Sequence, residues 1–320
     1  MTARLGERLA LPAAWAAVVV LFGALEPDRF LTASNFEAIF ASQAVLAVLG
    51  LALIVPLTAG DYDLSVASVL SLSAMMVAVL NVDHGWPVGW AVAAALAAGL
   101  AVGAVNGAIV VLLRLDSFVI TLGTGTVVAG IVLWISDSRT IGGVSDRLVE
   151  AVAVRELLGV PVGFWYGVLL AAAVWYLFEY TPAGRRMLFV GRGRRVARMS
   201  GVRVGRVRVG ALIASGGLAA VAGVLSVGEQ GGADPSSGAS LLLPAFAAAF
   251  LGATSIVPGR FNPWGTLIAA YFLATGVTGL QILGAESFVQ QLFYGGALIV
   301  AVAVTRLART RTAVDDPDSA

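Results

Sequence analysis

The chain has no lysine, no cysteine and a single histidine, His84, in 320 residues. Without cysteine there is no disulfide framework, thiolate nucleophile or cysteine metal site, and one histidine excludes the usual histidine clusters, so no resident metal is expected. The missing lysine excludes a phosphate-binding loop of the G-x-x-x-x-G-K-[ST] kind, whose lysine reaches the β- and γ-phosphates. If ATP drives this protein, another chain must bind ATP and magnesium and hydrolyse the nucleotide. Charge is scarce too: 12% of residues are charged and 59% hydrophobic, against roughly 25% charged in ordinary soluble domains. That composition implies an all-α, polytopic membrane protein. A net charge of +1 decides nothing alone, because the charges are sorted by position rather than gathered on one basic face. No nucleic-acid partner is expected.

Crossing a hydrocarbon core of roughly 30 Å takes about 17 to 25 apolar residues. Ten stretches qualify, near residues 9–25, 43–59, 64–80, 88–113, 117–135, 162–179, 209–228, 241–257, 264–283 and 289–305. No small-residue cleavage site precedes the acidic stretch Glu26 to Asp28, so the first is expected to remain as a span. The chain then reads as one transmembrane domain over 1–320, ending in a disordered tail at about 307–320.

All twenty basic residues are arginine, and positively charged loops are retained on the cytoplasmic side. With the N-terminus inside, ten spans put Arg4, Arg8, Arg114, the nine arginines from Arg185 to Arg208, Arg260, Arg306, Arg309 and Arg311 in the cytoplasm, sixteen in all. Only Arg29, Arg139, Arg147 and Arg155 fall outside. The expected topology is N-in, C-in.

The external loop 136–161 carries Leu148, Val152 and Leu157 at helical spacing, which predicts an amphipathic helix over 144–160. It could lie in the headgroup layer or dock an extracellular partner. His84, in "NVDHGWP", reads as a solvated loop residue rather than a proton relay. Dividing ten spans into two halves of five gives opposite orientations, the geometry of inverted repeats. Ser117-Phe118-Val119 and Ser287-Phe288-Val289 open the fifth and tenth spans, as that division would place them. Small residues repeat at spacings of three and four in "GLAVGAVNGAIV" (99–110) and "GGLAAVAGVLS" (216–226), a pattern that lets helix backbones approach closely. Asn106, an amide inside a span, must bond a neighbouring helix or face a polar cavity.

"GDYDLSVAS" (60–68) sets Asp61 and Asp63 between two apolar runs. Both flanking spans look short, so the turn can be drawn into the membrane, where an unpaired carboxylate costs about 2.5–3.5 kcal/mol or more and demands a partner or water. Asp63 can cap the following helix or serve as a polar gate element beside a substrate path.

These residues resemble a family. "GDYDLSVASVLSLSAMM" is similar to the G-G-x-D-L-S-V-G-S signature of permease subunits from ATP-binding-cassette (ABC) importers of ribose, xylose, arabinose and galactosides. Four further resemblances follow in order: "VNGAIVVLLRLDSFVITLGT" (105–124), "TPAGRRMLFVGRGRRVARMSGV" (181–202), "LGATSIVPGRFNPWGT" (251–266) and "SFVQQLFYGGALIVAVAV" (287–304). The resemblance implies a homodimer of permease chains in the bacterial plasma membrane, a cytoplasmic ABC ATPase and an extracytoplasmic sugar-binding protein, with no enzymatic activity in this chain itself. The candidate pathway residues are Asp61, Asp63, Ser65, Asn106, Ser117, Phe118 and Thr121. The segment at about 181–208 is similar to the region that docks into the ATPase, which assigns coupling to Gly191, Arg192, Arg195, Val196, Arg198, Met199, Ser200 and Gly201. Residues 191–202 are expected to form one short helix, with Val196, Met199 and Val202 as an apolar stripe beside Arg192, Arg195 and Arg198. The chain departs from the pattern at Gly193 and Arg195, where an asparagine and a glutamate are common, and at Leu242 and Pro244, which stand at usually acidic positions.

The expected function is import of a monosaccharide or related polyol by alternating access. The alternatives are a branched-chain amino-acid or nucleoside permease of the same superfamily, or an ion-coupled secondary transporter. The last expects carboxylates within the spans, and Asp61, Asp63 and Glu179 all lie near span ends.

Overall fold

The computed structural model describes the backbone of residues 2–314 and the side chains of residues 9–303. Over that range the chain is a helical bundle with two minor two-stranded ladders. It opens with α1 (Thr2–Leu25), the single turn α2 (Pro27–Phe30) and α3 (Ala33–Ser42). The Thr32 hydroxyl caps α3 by accepting the Asn35 N–H at 3.2 Å. Beyond Gln43, α4 (Ala44–Thr58) continues the helix, so that Ala33–Thr58 forms one apolar stretch of 26 residues. The second span is thus longer than the expected 43–59. Asn35 and Glu37 interrupt the apolar run without interrupting α3, and Gln43 is the turn residue between α3 and α4; the span before the acidic turn is therefore not short, while the one after it, Val66–Asp83, has 18 residues.

Every residue of α4 is buried, as befits a helix apolar on all sides at the centre of a bundle. Against it packs the long α12 (Val204–Gln230), which in turn holds α5 (Val66–Ala78), running on through a π turn to Asp83, and α6 (Val88–Leu112). The small-residue pattern does what its spacing predicts. A Cβ on Gly103 of α6 would run into the carbonyl of Leu212, and one on Gly216 of α12 into that of Gly99, so the two backbones touch. Toward the outside of the bundle lie α7 (Ser117–Ile135) and α9 (Val162–Tyr180), each burying a single stripe. The remaining large helices are α13 (Ser237–Gly252), α14 (Pro263–Ile282) and α15 (Ser287–Val314). Asn262 caps α14 through a bond from the Gly265 N–H at 2.6 Å. Residues 315–320, the end of the expected tail, lie outside the described residues, and α15 extends past its predicted start at 307.

Among the described residues, seven helices are long and apolar enough to cross a membrane: Ala33–Thr58, Val66–Asp83, Val88–Leu112, Ser117–Ile135, Val162–Tyr180, Val204–Gln230 and Pro263–Ile282. The other three expected spans are present as the shorter apolar helices Leu9–Leu25, Ser237–Gly252 and Ser287–Ala303. Both α7 and α15 begin on their Ser-Phe-Val tripeptides.

The loop 136–161 corrects the expectation of one amphipathic helix. Helix α8 (Asp146–Val149) passes into a π turn, Glu150–Val154, and stops. A hairpin follows, β2 (Glu156–Leu157) with β3 (Val160–Pro161), turning through Leu158 and Gly159, both at positive φ. That Leu-Gly pair, a two-residue hairpin turn, overrides the helical spacing of Leu157. Val152 packs against Gly228 of α12, so the apolar face lies on the protein itself. Earlier in the same loop, β1 (Ile141–Gly142) pairs with β4 (Gly232–Ala233) just beyond α12. His84 is exposed in its loop, its Nδ1 3.1 Å from the Val79 carbonyl.

Candidate substrate pathway and coupling segment

The chain reverses between α4 and α5 through Gly60, at φ +79, where a side chain would be strained. Two amides of this turn reach across to the first turn of α7. The Tyr62 N–H donates to Ser117 Oγ at 3.0 Å and the Leu64 N–H to Thr121 Oγ1 at 3.0 Å. Above the first of these the Tyr62 and Phe118 rings meet edge to face, 6.2 Å apart. Asp63 Oδ1 accepts both the N–H of Ser65, at 3.0 Å, and its hydroxyl, and Asn106 of α6 donates to Ser65 Oγ at 2.8 Å. The bond that Asp63 accepts from the amide two residues on is an Asx turn just before α5, whose N-cap, Ser65, makes no capping bond with its own side chain.

All seven predicted pathway residues therefore sit in one cluster. They divide by exposure. Asp61, Asp63, Ser65, Asn106, Ser117 and Thr121 are buried, whereas Phe118 is 47% exposed on the outer side of α7. Asp63 Oδ2 and Ser215 Oγ of α12 face each other and make no other bond among the described residues, and Asn106 Oδ1 is buried there without a partner. Such atoms cost stability unless something completes them, so this is where the fold tolerates polarity for a purpose other than packing.

Asp61 is bound differently. Arg208 of α12 grips it with two bonds, Nε to Oδ2 at 2.7 Å and Nη2 to Oδ1 at 2.6 Å. Arg194 adds Nη2 to Oδ1 at 2.9 Å and to the Gly60 carbonyl at 2.6 Å. The carboxylate is fully buried, and paired as a deeply placed charge must be. Sequence reasoning chose Arg192, Arg195 and Arg198 and missed Arg194 and Arg208. The signal that could have found them is the need of each buried carboxylate for a cation.

Those two arginines come from the expected coupling segment. It consists of α10 (Pro182–Arg192), capped by the Thr181 hydroxyl, α11 (Arg194–Met199), with Gly193 between them, and the start of α12, which carries Arg208. Thus 191–202 is not one helix. α11 ends in a Schellman turn: Gly201, at φ +81, bonds back to Arg198, and Val202 to Ala197. Val202 leaves the predicted stripe and leans on Val190, Ala197 and Val204, which form a small core of their own. Val196 and Met199 stay bare, at 55% and 77% exposure, with Arg192, Arg195, Arg198 and Ser200 exposed around them. Gly191 has no room for a side chain, because a Cβ there would strike the Thr58 carbonyl. The end of α10 thus rests directly on the end of α4. Beside it opens a cavity of about 560 Å³ whose lining includes Arg114, Arg194, Arg198, Arg208 and Asp116.

Elsewhere the structure adds a carboxylate that the span boundaries concealed, since Glu229 lies half-buried in the last turn of α12. Glu179 pairs with Arg260 at 2.8 Å. Among the described residues no group of three or more His, Asp or Glu side chains could hold a metal ion.

Residues 35–302 match the family described as the branched-chain amino acid transport system / permease component. The chain is 33% identical to the D-allose transport system permease protein AlsC of Escherichia coli (strain K12), over 91% of this chain and 89% of that protein. It is 34% identical to the ribose import permease protein RbsC of Bacillus subtilis (strain 168), over 90% and 89%. To the autoinducer 2 import system permease protein LsrD of Escherichia coli O9:H4 (strain HS) it is 32% identical, over 94% and 92%. No solved structure matches it.

Proposed function

The chain belongs to the family of branched-chain amino acid transport system permease components, and within it to the sugar-import permeases; from that membership we propose that it moves a monosaccharide or related polyol into the cytoplasm by alternating access. It is a multi-pass protein of the bacterial inner membrane. ATP and magnesium are bound by a separate cytoplasmic ATPase, and substrate arrives on an extracytoplasmic sugar-binding protein. The carrying observation is the near full-length match to permeases named for allose, ribose and autoinducer 2. Two bare surfaces support the assembly. Val196 and Met199, ringed by arginines, offer an apolar knob with a cationic rim to the ATPase. The open side of α7, with Phe118, Leu122 and the small residues Gly123 and Gly130, faces a second copy across the pathway. The N-in, C-in topology and the two inverted halves of five spans belong to this proposal.

The family description itself favours a second reading, a branched-chain amino-acid permease. Proteoliposomes holding the permease, its ATPase and its binding protein separate the readings. Uptake of a labelled sugar such as ribose or allose should require ATP and all three components. Leucine uptake in place of sugar would support the second reading, and uptake by this chain alone under a proton or sodium gradient would contradict both.

A further inference from the structure

We infer that Asp61 is the joint through which the coupling segment moves the pathway helices, a positioning residue that acts through Arg194 and Arg208. The inference rests on the ABC permease reading above. One buried carboxylate receives cations from two elements, Arg194 from α11 and Arg208 from the first turns of α12. The end of α10 meets the same turn through glycine backbone, Gly191 lying against Gly60 and Thr58. With its carboxylate wholly shielded, Asp61 has no water to take over when the arginines shift. A displacement of α11 must therefore carry the turn with it.

The turn has an onward connection. Tyr62 and Leu64, directly after Asp61, hang on Ser117 and Thr121 in the first turn of α7. A contiguous chain of bonds thus runs from Arg194 through Asp61 and the two amides to the helix that presents Phe118. Arg208 and Ser215 lie seven residues apart, two turns along one face of α12. They stand against Asp61 and Asp63 respectively. The turn is gripped at two levels, and Asp61 supplies the level that holds charge. Set against the G-G-x-D-L-S signature, Asp61 occupies the second glycine position, so the joint is a property of this chain and not of the signature.

The test measures sugar imported per ATP hydrolysed in proteoliposomes with the complete complex. Asp61→Asn should keep its ATPase on co-purification yet lower that ratio about tenfold, on the scale of couplings changed by residues lying between two sites. Arg194→Gln, whose side chain is 42% exposed, should lower it less, by about threefold. The exchange of Asp61→Arg with Arg208→Asp should recover most of the loss, which a merely structural role for either residue would not produce. An unchanged ratio in Asp61→Asn, or an exchange no better than Asp61→Asn, overturns the joint. Should Asp61→Asn fail to insert, Arg194→Gln decides alone, an unchanged ratio counting against. If the wild-type complex shows no ATP-driven uptake, the transport reading fails and the joint falls with it. A working wild type with an indifferent Asp61 sinks the joint alone.

Discussion

α4 and α7 are both apolar enough to cross a bilayer, yet their fates differ. In the most apolar window of the stretch containing α4, 72% of residues are buried inside the chain, against 22% for α7. Hydropathy says only that a helix avoids water. What decides between the middle of the bundle and its outer face is whether neighbours can approach: Gly50 lets α13 and α14 close on α4, and glycines of α6 and α12 open the space around α5. α7 has one stripe of that kind, Ser117, Thr121, Gly125, Val128 and Val132, and leaves the rest to lipid or a partner.

The contrast breaks most sharply at the glycine contacts. Gly103→Val should cost about 3 kcal/mol through overpacking against the Leu212 carbonyl, read as a large drop in thermal unfolding temperature in detergent. A value near zero would mean that α6 and α12 do not touch. A middling effect is expected at the acidic turn, which belongs to both regions. Asp63→Ala should cost about 1 kcal/mol by removing the turn bond from the Ser65 N–H, while Asp63→Asn stays near wild type in folding and transport, since asparagine makes the same turn. If Asn fails as badly as Ala, the charge itself is required and Asp63 is a gate element. The smallest effect belongs to α7, where Leu122 is 50% exposed. In the chain separated from its second copy, Leu122→Ala should change stability by less than about 0.5 kcal/mol, and a loss there comparable to that at Gly103 would place α7 in the core.

Much of this was legible in the sequence, for reasons that particular residues show. Small residues spaced by four told where helices touch, and the two Ser-Phe-Val tripeptides marked the starts of α7 and α15. The resemblance gathered Asp61 through Thr121 before any geometry was known. Long-range pairing was not legible. Nine arginines crowd residues 185–208, and nothing local says that Arg194 and Arg208 turn inward while Arg195 and Arg198 stay outside. Composition also misled at both ends of the scale. Polar residues at 35, 37 and 43 hid the start of a 26-residue stretch, and the loop hairpin at 156–161 was too short to outweigh helical spacing at Leu157.

The central claim is that surfaces left bare by this chain are covered by partners, and Met199 states it most plainly. Met199→Asp removes the apolar contact, leaves all twenty arginines and hence the topology signal intact, and alters nothing buried in the chain. The decisive measurement is sugar-stimulated ATP hydrolysis by the co-purified complex carrying that substitution. The account predicts normal insertion with loss of both co-purification and stimulation. Retention of both would contradict it.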